Sequence, residues 1–537
     1  MTQTDVNTAM PDDAPAAMST YQALLELRPA LDGYAGIPQE TRLLFRGLCL
    51  SQNVQVTGLL QTSHRYLAAG LAGSADEAMN SEPAARFHRM ARVIISLETA
   101  PVTTGVDGII RYLKKKQVSL WLAIASVWWP ERRIIGLSRF IPSRFEDYLW
   151  RHLFARTLPA EDFSLVTAQG FRVCGVPWNI LHTAGMESLR FSKKPTYPIL
   201  DTQGFDFFIA QTPYPARVTA GTTLIVRYHD AFPVFMPHTV AHRSRHEATH
   251  FHALSGNVAS GAYFACVSES SRQDLLAMYP DLGERAVTIP NMVSHHFHDA
   301  PTSATHVPAI IRARVNRTCP EASPVFGNLE SEERFYQQHL KQENLSYLLA
   351  VSTIEPRKNH ERLIAAWERI RAEHDPNLKL VLVGNFGWDF SAVAQSMRSW
   401  IDQGALFALN NVPAQDLRQL YQHAAATVCP SLAEGFDFSG VESMKSGGVA
   451  IASDIAVHRE VYGDAAEYFD PYSTDSLTSA ISKVIYEHGS NKLRDRLRAQ
   501  SKLVSERYLP ENILPLWDGL FGTIRTIRQS SNTSLNK

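Results

Sequence analysis

The chain has 537 residues, 45% of them hydrophobic and 20% charged, with a formal net charge of −1. That length exceeds one ordinary core and suits two domains of roughly 200 to 300 residues each, and the balanced charge excludes the global basic footprint of a nucleic-acid-binding protein. Five cysteines (Cys49, Cys174, Cys266, Cys319 and Cys429) lie far apart with no C-x-x-C pair, which argues against a disulfide framework or a cysteine zinc site and for a reducing cytoplasm.

Residues 1–19 are polar and rich in Ala, Asp and Thr, without an apolar h-region; they are expected to form a disordered tail and not a signal peptide. No run approaches about 18 apolar residues, so no spanning segment is expected. An amino-terminal domain over 20–298 opens with a strand predicted at Tyr21–Leu27. Gly33 and Gly36 follow it, then a helix from about Pro38 to Leu50, then a second strand at Asn53–Leu60. A strand, a Gly-bearing loop and a helix form the phosphate- or substrate-cradling unit of doubly wound folds. Taken alone, the same G-x-x-G describes a simple turn.

Residues 111–133 are unusual. Arg111-Tyr-Leu-Lys-Lys-Lys116 leads into an apolar run from Val118 to Trp129 with three tryptophans, then Pro130-Glu-Arg-Arg133. The run is too short to span a bilayer. Two readings stand: a segment lying among lipid headgroups, or a buried strand or helix with a solvated basic edge. Strand-like runs follow at Phe163–Ala168, Phe205–Ala210 and Thr223–Tyr228, the last entering Arg227-Tyr-His-Asp-Ala-Phe-Pro-Val234. A His at the end of a buried strand is ordinarily a core residue. His229 points toward the crevice end of the sheet, however, and Asp230 beside it offers a partner to fix its tautomer.

His238, His242, His246 and His250 recur at steps of four, and His246-Glu-Ala-Thr-His250 spells H-E-x-x-H. Five positions with three fixed are weak support, and no metal site is expected. A strand at Ala262–Ser268, a helix at Ser270–Tyr279 and a strand at Arg285–Asn291 close this half. From 299 to 344, prolines at 301, 308, 320 and 324 bracket polar text; this is read as an interdomain linker with a short helix near Glu330–Gln342.

Regular alternation over 345–510 predicts a parallel sheet covered on both faces. Its strands are Tyr347–Thr353, Leu378–Val383, Leu406–Asn410 and Ala426–Cys429, with helices at Asn359–Glu373, Ser391–Asp402 and Gln415–His423. Arg357 and Lys358 precede a helix start at the crevice, where they could neutralise a diphosphate; a surface basic pair near a turn is the competing reading. After Cys429 comes Pro430-Ser-Leu-Ala-Glu-Gly-Phe-Asp-Phe-Ser-Gly-Val-Glu-Ser-Met-Lys-Ser-Gly-Gly448. Glu434 falls in the loop leaving a strand, and Glu442 in the first turn of the next helix, whose N–H groups near Gly440 and Val441 would attract an anion. A capping box of Ser439 with Glu442 is the plainer reading, but it leaves Glu434 and the glycines at 435, 440, 447 and 448 without a reason. Residues 511–537 are read as a terminal helix and tail, with Glu511–Ile527 crossing back onto the first domain.

EGFDFSGVE followed by SMKSGGVAIASD resembles the signature of retaining GT-B glycosyltransferases that use nucleotide-sugar donors, in which two glutamates separated by seven residues contact the donor. STIEPRKNHERL, RYHDAFPV, RPALDGYAGIPQETRLL and SDIAVHREVYGDAAEYFDP resemble the branch that builds bacterial surface polysaccharide such as O-antigen. The resemblance implies an α/β fold of GT-B architecture, two doubly wound Rossmann-like domains facing a cleft. It implies a hexosyltransferase that moves a sugar, mannose from GDP-mannose as the leading choice, onto a glycan or lipid-linked glycan. No cofactor beyond the donor is implied, and the protein would be cytoplasmic, with peripheral contact at the inner membrane face. His229 and Glu434 become the catalytic candidates. Arg357, Lys358, Gly435, Phe436, Ser439, Gly440, Val441 and Glu442 form the donor side, with Glu434 on the sugar hydroxyls and Glu442 on the ribose. Gly33 and Gly36 mark the acceptor loop. Two departures are visible: Asp437 stands where the family carries Gly, and Thr353 where it carries an Arg of the phosphate clamp. A nucleotide-sugar epimerase on the same fold, or a non-catalytic binding partner of a glycan assembly complex, are the alternatives.

Overall fold

The structure, a computed structural model, describes residues 20–535 apart from 32, 34–35, 73–81, 99–104, 133, 241–242 and 341–344. The expected tail 1–19, Arg133 and His242 lie outside the described residues. Two sheets form the body. The first holds β1 (Tyr21–Glu26), β2 (Val54–Leu60), β3 (Leu137–Phe140), β4 (Gly170–Cys174), β5 (Phe207–Ala210), β6 (Thr223–Tyr228), β7 (Tyr263–Cys266) and β8 (Ala286–Thr288), in the order β8-β7-β6-β5-β1-β2-β4-β3. Only β3 runs antiparallel, against β4. The second holds β9 (Tyr347–Val351), β10 (Lys379–Val383), β11 (Leu406–Leu409), β12 (Ala426–Cys429), β13 (Ala450–Ser453) and β14 (Ala466–Phe469). Its order, β11-β10-β9-β12-β13-β14, is that of the doubly wound nucleotide-binding fold. In such sheets the ligand crevice opens where the order reverses, beside β9 and β12.

Every residue of β6 and of β12 is buried, which is why these mostly apolar stretches show no apolar–polar alternation. The helices that bear on function are α1 (Ile37–Leu50), α2 (Gly105–Trp128), α3 (Trp178–Ser188), α4 (Arg243–Ala259), α5 (Glu269–Met278), α6 (His360–Glu373), α7 (Phe438–Lys445), α8 (Ala456–Tyr462) and α9 (Pro510–Leu535). α9 lays Ile513, Trp517, Leu520, Phe521 and Ile524 into the apolar cluster of the first sheet, and Phe521 stacks on Phe207 at 4.8 Å.

Three expectations are corrected. Phe163–Ala168 is not a strand. A 3-10 turn at Ala160–Asp162 runs into a helix at Phe163–Thr167, and the strand is β4, five residues of which begin at Gly170. So short an apolar run carries no readable period. The Trp-rich stretch, for which two readings stood, lies within α2 and its following turn; Leu122 packs on Ile180 and Ala184 of α3, while Trp121, Trp128 and Trp129 are exposed. Residues 299–340 are not an open linker: helices at Val307–Arg314 and Leu329–His339 send Val307, Ile311, Val315, Tyr336 and Leu340 into the cluster beneath the second sheet. Pro308 sits in the first turn of its helix, where a missing N–H costs nothing. The histidines do not share one face, because His238 lies on a separate turn, Pro237–Thr239, while His246 and His250 lie on α4. Among the described residues no helix is long and apolar enough to cross a membrane.

Candidate functional site

The chain leaves β12 at Cys429, loops through Glu434 and enters α7 at Phe438. The N-cap is Asp437, not Ser439. Asp437 has φ +66°, a region that L-residues other than Asn and Asp avoid, and its Oδ1 accepts from Ser439 N at 3.0 Å and Ser439 Oγ at 2.7 Å. The box of Ser439 with Glu442 therefore does not form. Asp437 Oδ2 meets His458 Nε2 of α8 at 3.2 Å. Burial raises the Asp437 pKa, but the His458 hydrogen bond and the Lys358 charge outweigh it and hold this carboxyl below its usual range. Ser439, Gly440 and Val441 are buried in the first turn of α7, whose N–H groups need partners from outside the helix.

Lys358 Nζ and Arg357 Nη1 both donate to Glu434, the latter at 3.1 Å. Arg357 also reaches Ala433 O at 2.6 Å and Glu355 at 2.7 Å, with its guanidinium 4.7 Å from the Phe232 ring centre. Both cations sit on the 3-10 turn Pro356–Lys358 between β9 and α6. The Glu434 side chain is 7% exposed. Burial alone would raise its pKa; Lys358 and Arg357 reverse that, and it stays ionised. Phe436 is placed apart from this group: its ring packs on Phe438 and Tyr508 at 5.4 and 5.2 Å.

The first domain faces this cluster with the end of β6. His229 Nε2 is buried and has no hydrogen-bond partner among the described residues. Burial first, then the Arg227 charge, lowers the His229 pKa to about 3, so the ring is neutral. Asp230 does not orient that ring: its Oδ1 accepts from Phe232 N at 3.1 Å, a cap closing the next turn. The domains also meet at Gly435, where a Cβ would stand 2.1 Å from the His229 carbonyl oxygen. Ser271 Oγ donates to that same oxygen at 2.8 Å.

Glu442 is 4% exposed. Gln39 Nε2 donates to its Oε1 at 2.7 Å and the Tyr421 hydroxyl to its Oε2 at 3.1 Å. Burial is the largest effect on this carboxyl and pushes its pKa up to about 7. Gln39 belongs to the first turn of α1. Gly36 immediately precedes that helix with φ +70°, and Gly33, exposed with φ +62°, gives its carbonyl to Arg42 at 2.9 Å. Thus Gly36 and Glu442 come together through Gln39.

Sequence reasoning missed three groups. Gln39 gave no signal, because its partner is 403 positions away. Glu460 of α8 accepts from Glu269 N at 2.6 Å and Ser270 N at 3.0 Å, so a carboxylate of the second domain caps α5 of the first. Arg227, fully buried behind His229, pairs with Glu40 at 2.9 Å and Asn291 at 2.7 Å. An Arg inside an otherwise apolar strand was the available clue, since such charges are buried only when paired.

Residues 331–504 match the family described as glycosyl transferases group 1, a match confined to less than half of the chain. The chain is 33% identical over 135 residues to O-antigen chain mannosyltransferase B of Escherichia coli, covering 25% of this chain and 35% of that protein. It is 31% identical over 144 residues to O-antigen chain mannosyltransferase RfbU of Salmonella typhimurium, covering 27% and 40%. The matched stretches span well under two thirds of the curated relatives. Among solved structures, sucrose-phosphate synthase from Thermosynechococcus elongatus superposes with a TM-score of 0.53 at 12% identity, over 95% of this chain and 100% of that one. The N-terminal domain of Candida albicans trehalose-6-phosphate phosphatase gives 0.50 at 12% identity, over 96% and 99%. At such identity these likenesses establish the fold. It is the expected one: α/β, GT-B, two Rossmann-like domains across a cleft.

Proposed function

We propose that this chain, whose second domain matches glycosyl transferases group 1, transfers mannose from GDP-mannose, with retention of configuration, to a glycan or lipid-linked glycan. The observation that carries the reading is the Glu434–Lys358–Arg357 cluster in the loop before α7, whose Gly435 lies against the His229 carbonyl of the first domain. As the sugar C1–O bond breaks, its electron pair leaves with the diphosphate, and negative charge grows on the phosphate oxygen. Arg357, Lys358 and the N–H groups of Gly440 and Val441 are the groups that would neutralise it. When a diphosphate takes up the two cations, Glu434 is released to accept from hydroxyls of the transferred sugar. Glu442 would exchange Gln39 for the ribose hydroxyls. His229 contacts the sugar from the other domain, its Nε2 gaining a partner. The acceptor oxygen attacks C1 from the face that the phosphate leaves, and its proton passes to that phosphate oxygen. No protein nucleophile is required. Mutual approach of the lobes at Gly435 excludes water.

Incubating the purified chain with GDP-mannose and a panel of other nucleotide sugars tests the reading. A donor present at about 100 times its Kd stabilises the folded state by about 2.7 kcal/mol and raises the melting temperature. Transfer to a mannan acceptor is then followed by NMR of the new anomeric centre. Glu434→Ala lowers turnover by on the order of a hundredfold or more. Donor-dependent transfer that survives Glu434→Ala, or interconversion of sugars without any acceptor, removes the proposal.

A further inference from the structure

Large apolar side chains on the surface concentrate in one region of the first domain. Along α2, Leu113, Gln117, Trp121, Ile124 and Trp128 recur at steps of four, four, three and four, the spacing of one helix face. Leu113 is 58% exposed, Trp121 48% and Trp128 53%. The opposite face holds buried Ser119, Leu122 and Ser126, with Leu122 packed on α3. Trp129 and Ile134 extend the exposed strip past the helix end, and Phe191, just beyond α3, sits 5.0 Å from Trp128. The strip is therefore continuous across two elements. Exposed apolar surface of this extent on a soluble chain marks an interaction site.

The flanking charge says what it meets. Lys114 and Lys116 lie beside the strip on α2, and Lys193 and Lys194 follow Phe191; all four are exposed. Glu131 is the exposed carboxylate among the described residues of these two segments, and Glu187, partly buried, is paired with Arg190 at 2.7 Å. Tryptophans favour the headgroup layer, where the ring is half in hydrocarbon and half in water, and lysines at the margin reach anionic phosphates. We propose that the exposed face of α2, with Trp128, Trp129, Ile134 and Phe191, is a docking surface for an anionic lipid bilayer. The face lies flat on the membrane and does not enter it. Lys115 and Lys116 also line a cavity of about 1490 Å³ with Arg28, Trp178 and His250, so docking sets that cavity beside the lipid surface.

The surface goes beyond the transfer reading, and its test needs no activity. The full chain is floated with vesicles of phosphatidylcholine alone or with added phosphatidylglycerol. Binding to the anionic vesicles with a blue shift of tryptophan emission is expected, with none to phosphatidylcholine. A surface lysine near an anionic membrane strengthens binding about fivefold. Lys193→Gln with Lys194→Gln then weakens binding roughly 25-fold, and Trp128→Ser with Trp129→Ser abolishes the emission shift, with melting temperatures unchanged because all four side chains are exposed. Equal flotation with both vesicle types, or binding that both double variants retain, overturns the proposal. So does a wild-type dimer by light scattering that the Trp variant dissociates, which would make the strip an interface between two copies.

Discussion

Glu442→Gln separates the donor contact proposed for this carboxylate from what it costs the fold. Its pKa is pushed from 4.5 to about 7 by burial, with Gln39 and Tyr421 only partly compensating. Between those two values the native state holds a proton that the unfolded chain has lost. Stability therefore falls as pH rises from about 4.5 to about 7, and is flat above. At 1.36 kcal/mol per unit, the ionised carboxyl in the native state costs up to about 3 kcal/mol at pH 8. A glutamine keeps the shape without the charge: its carbonyl accepts from Gln39 as Oε1 does now, and the Tyr421 hydroxyl turns to accept from the amide. Denaturant unfolding at pH 5, 6, 7 and 8 should show the variant gaining over the parent by up to about 3 kcal/mol at pH 8, shrinking toward zero near pH 5. Glu40, also raised to about 7, and His229, His250 and His360, lowered by burial, are present in both proteins and cancel in the difference. A variant less stable than the parent at pH 8, or stabilised equally at every pH, refutes the reasoning. The same variant should raise the KM for a nucleotide-sugar donor, since a glutamine binds ribose hydroxyls without charge.

Gly435→Ala puts a methyl 2.1 Å from the His229 carbonyl oxygen; the lobes must separate, and small-angle scattering should show a larger radius of gyration with turnover reduced at least tenfold or so. Glu460→Ala leaves the N–H groups of Glu269 and Ser270 at the start of α5 without their carboxylate, while Ser268 keeps its bond to Ser271 N, and should cost about 1 kcal/mol in urea unfolding. Asp437→Ala and Asp437→Gly both lose the cap and the His458 contact, but only Ala keeps a side chain at φ +66°. Unfolding midpoints should rank parent, then Gly, then Ala, with about 1 kcal/mol between the two variants.

The doubly wound plan was legible because the covered strands are mostly apolar, with Arg227 the exception in Thr223–Tyr228, and that strand and Tyr347–Val351 formed almost where the sequence placed them. Spacing carried Glu434 and Glu442 into one loop and one helix turn. What spacing could not carry was any partner from the other domain, such as Gln39 to Glu442 or Glu460 to α5. The N-cap was missed for a local reason. The three-residue spacing to Glu442 pointed to Ser439, but Asp437 hydrogen-bonds the backbone two residues on and so tolerates a left-handed φ. The 299–344 stretch misled because its prolines read as breakers, while Pro308 opens a helix whose apolar face lies under the second sheet.

The return of α9 has a consequence for biosynthesis. Trp517 and Phe521 are needed to finish the hydrophobic interior of the amino-terminal lobe, yet Pro510 is made about 220 residues after Thr288, the last residue of β8. At roughly 5 to 20 residues per second, that lobe waits on the order of 10 to 40 s on the ribosome with an unsealed apolar seam. An amino-terminal half made without α9 would leave that seam open, and a nascent chain stalled before α9 is the form most in need of a chaperone.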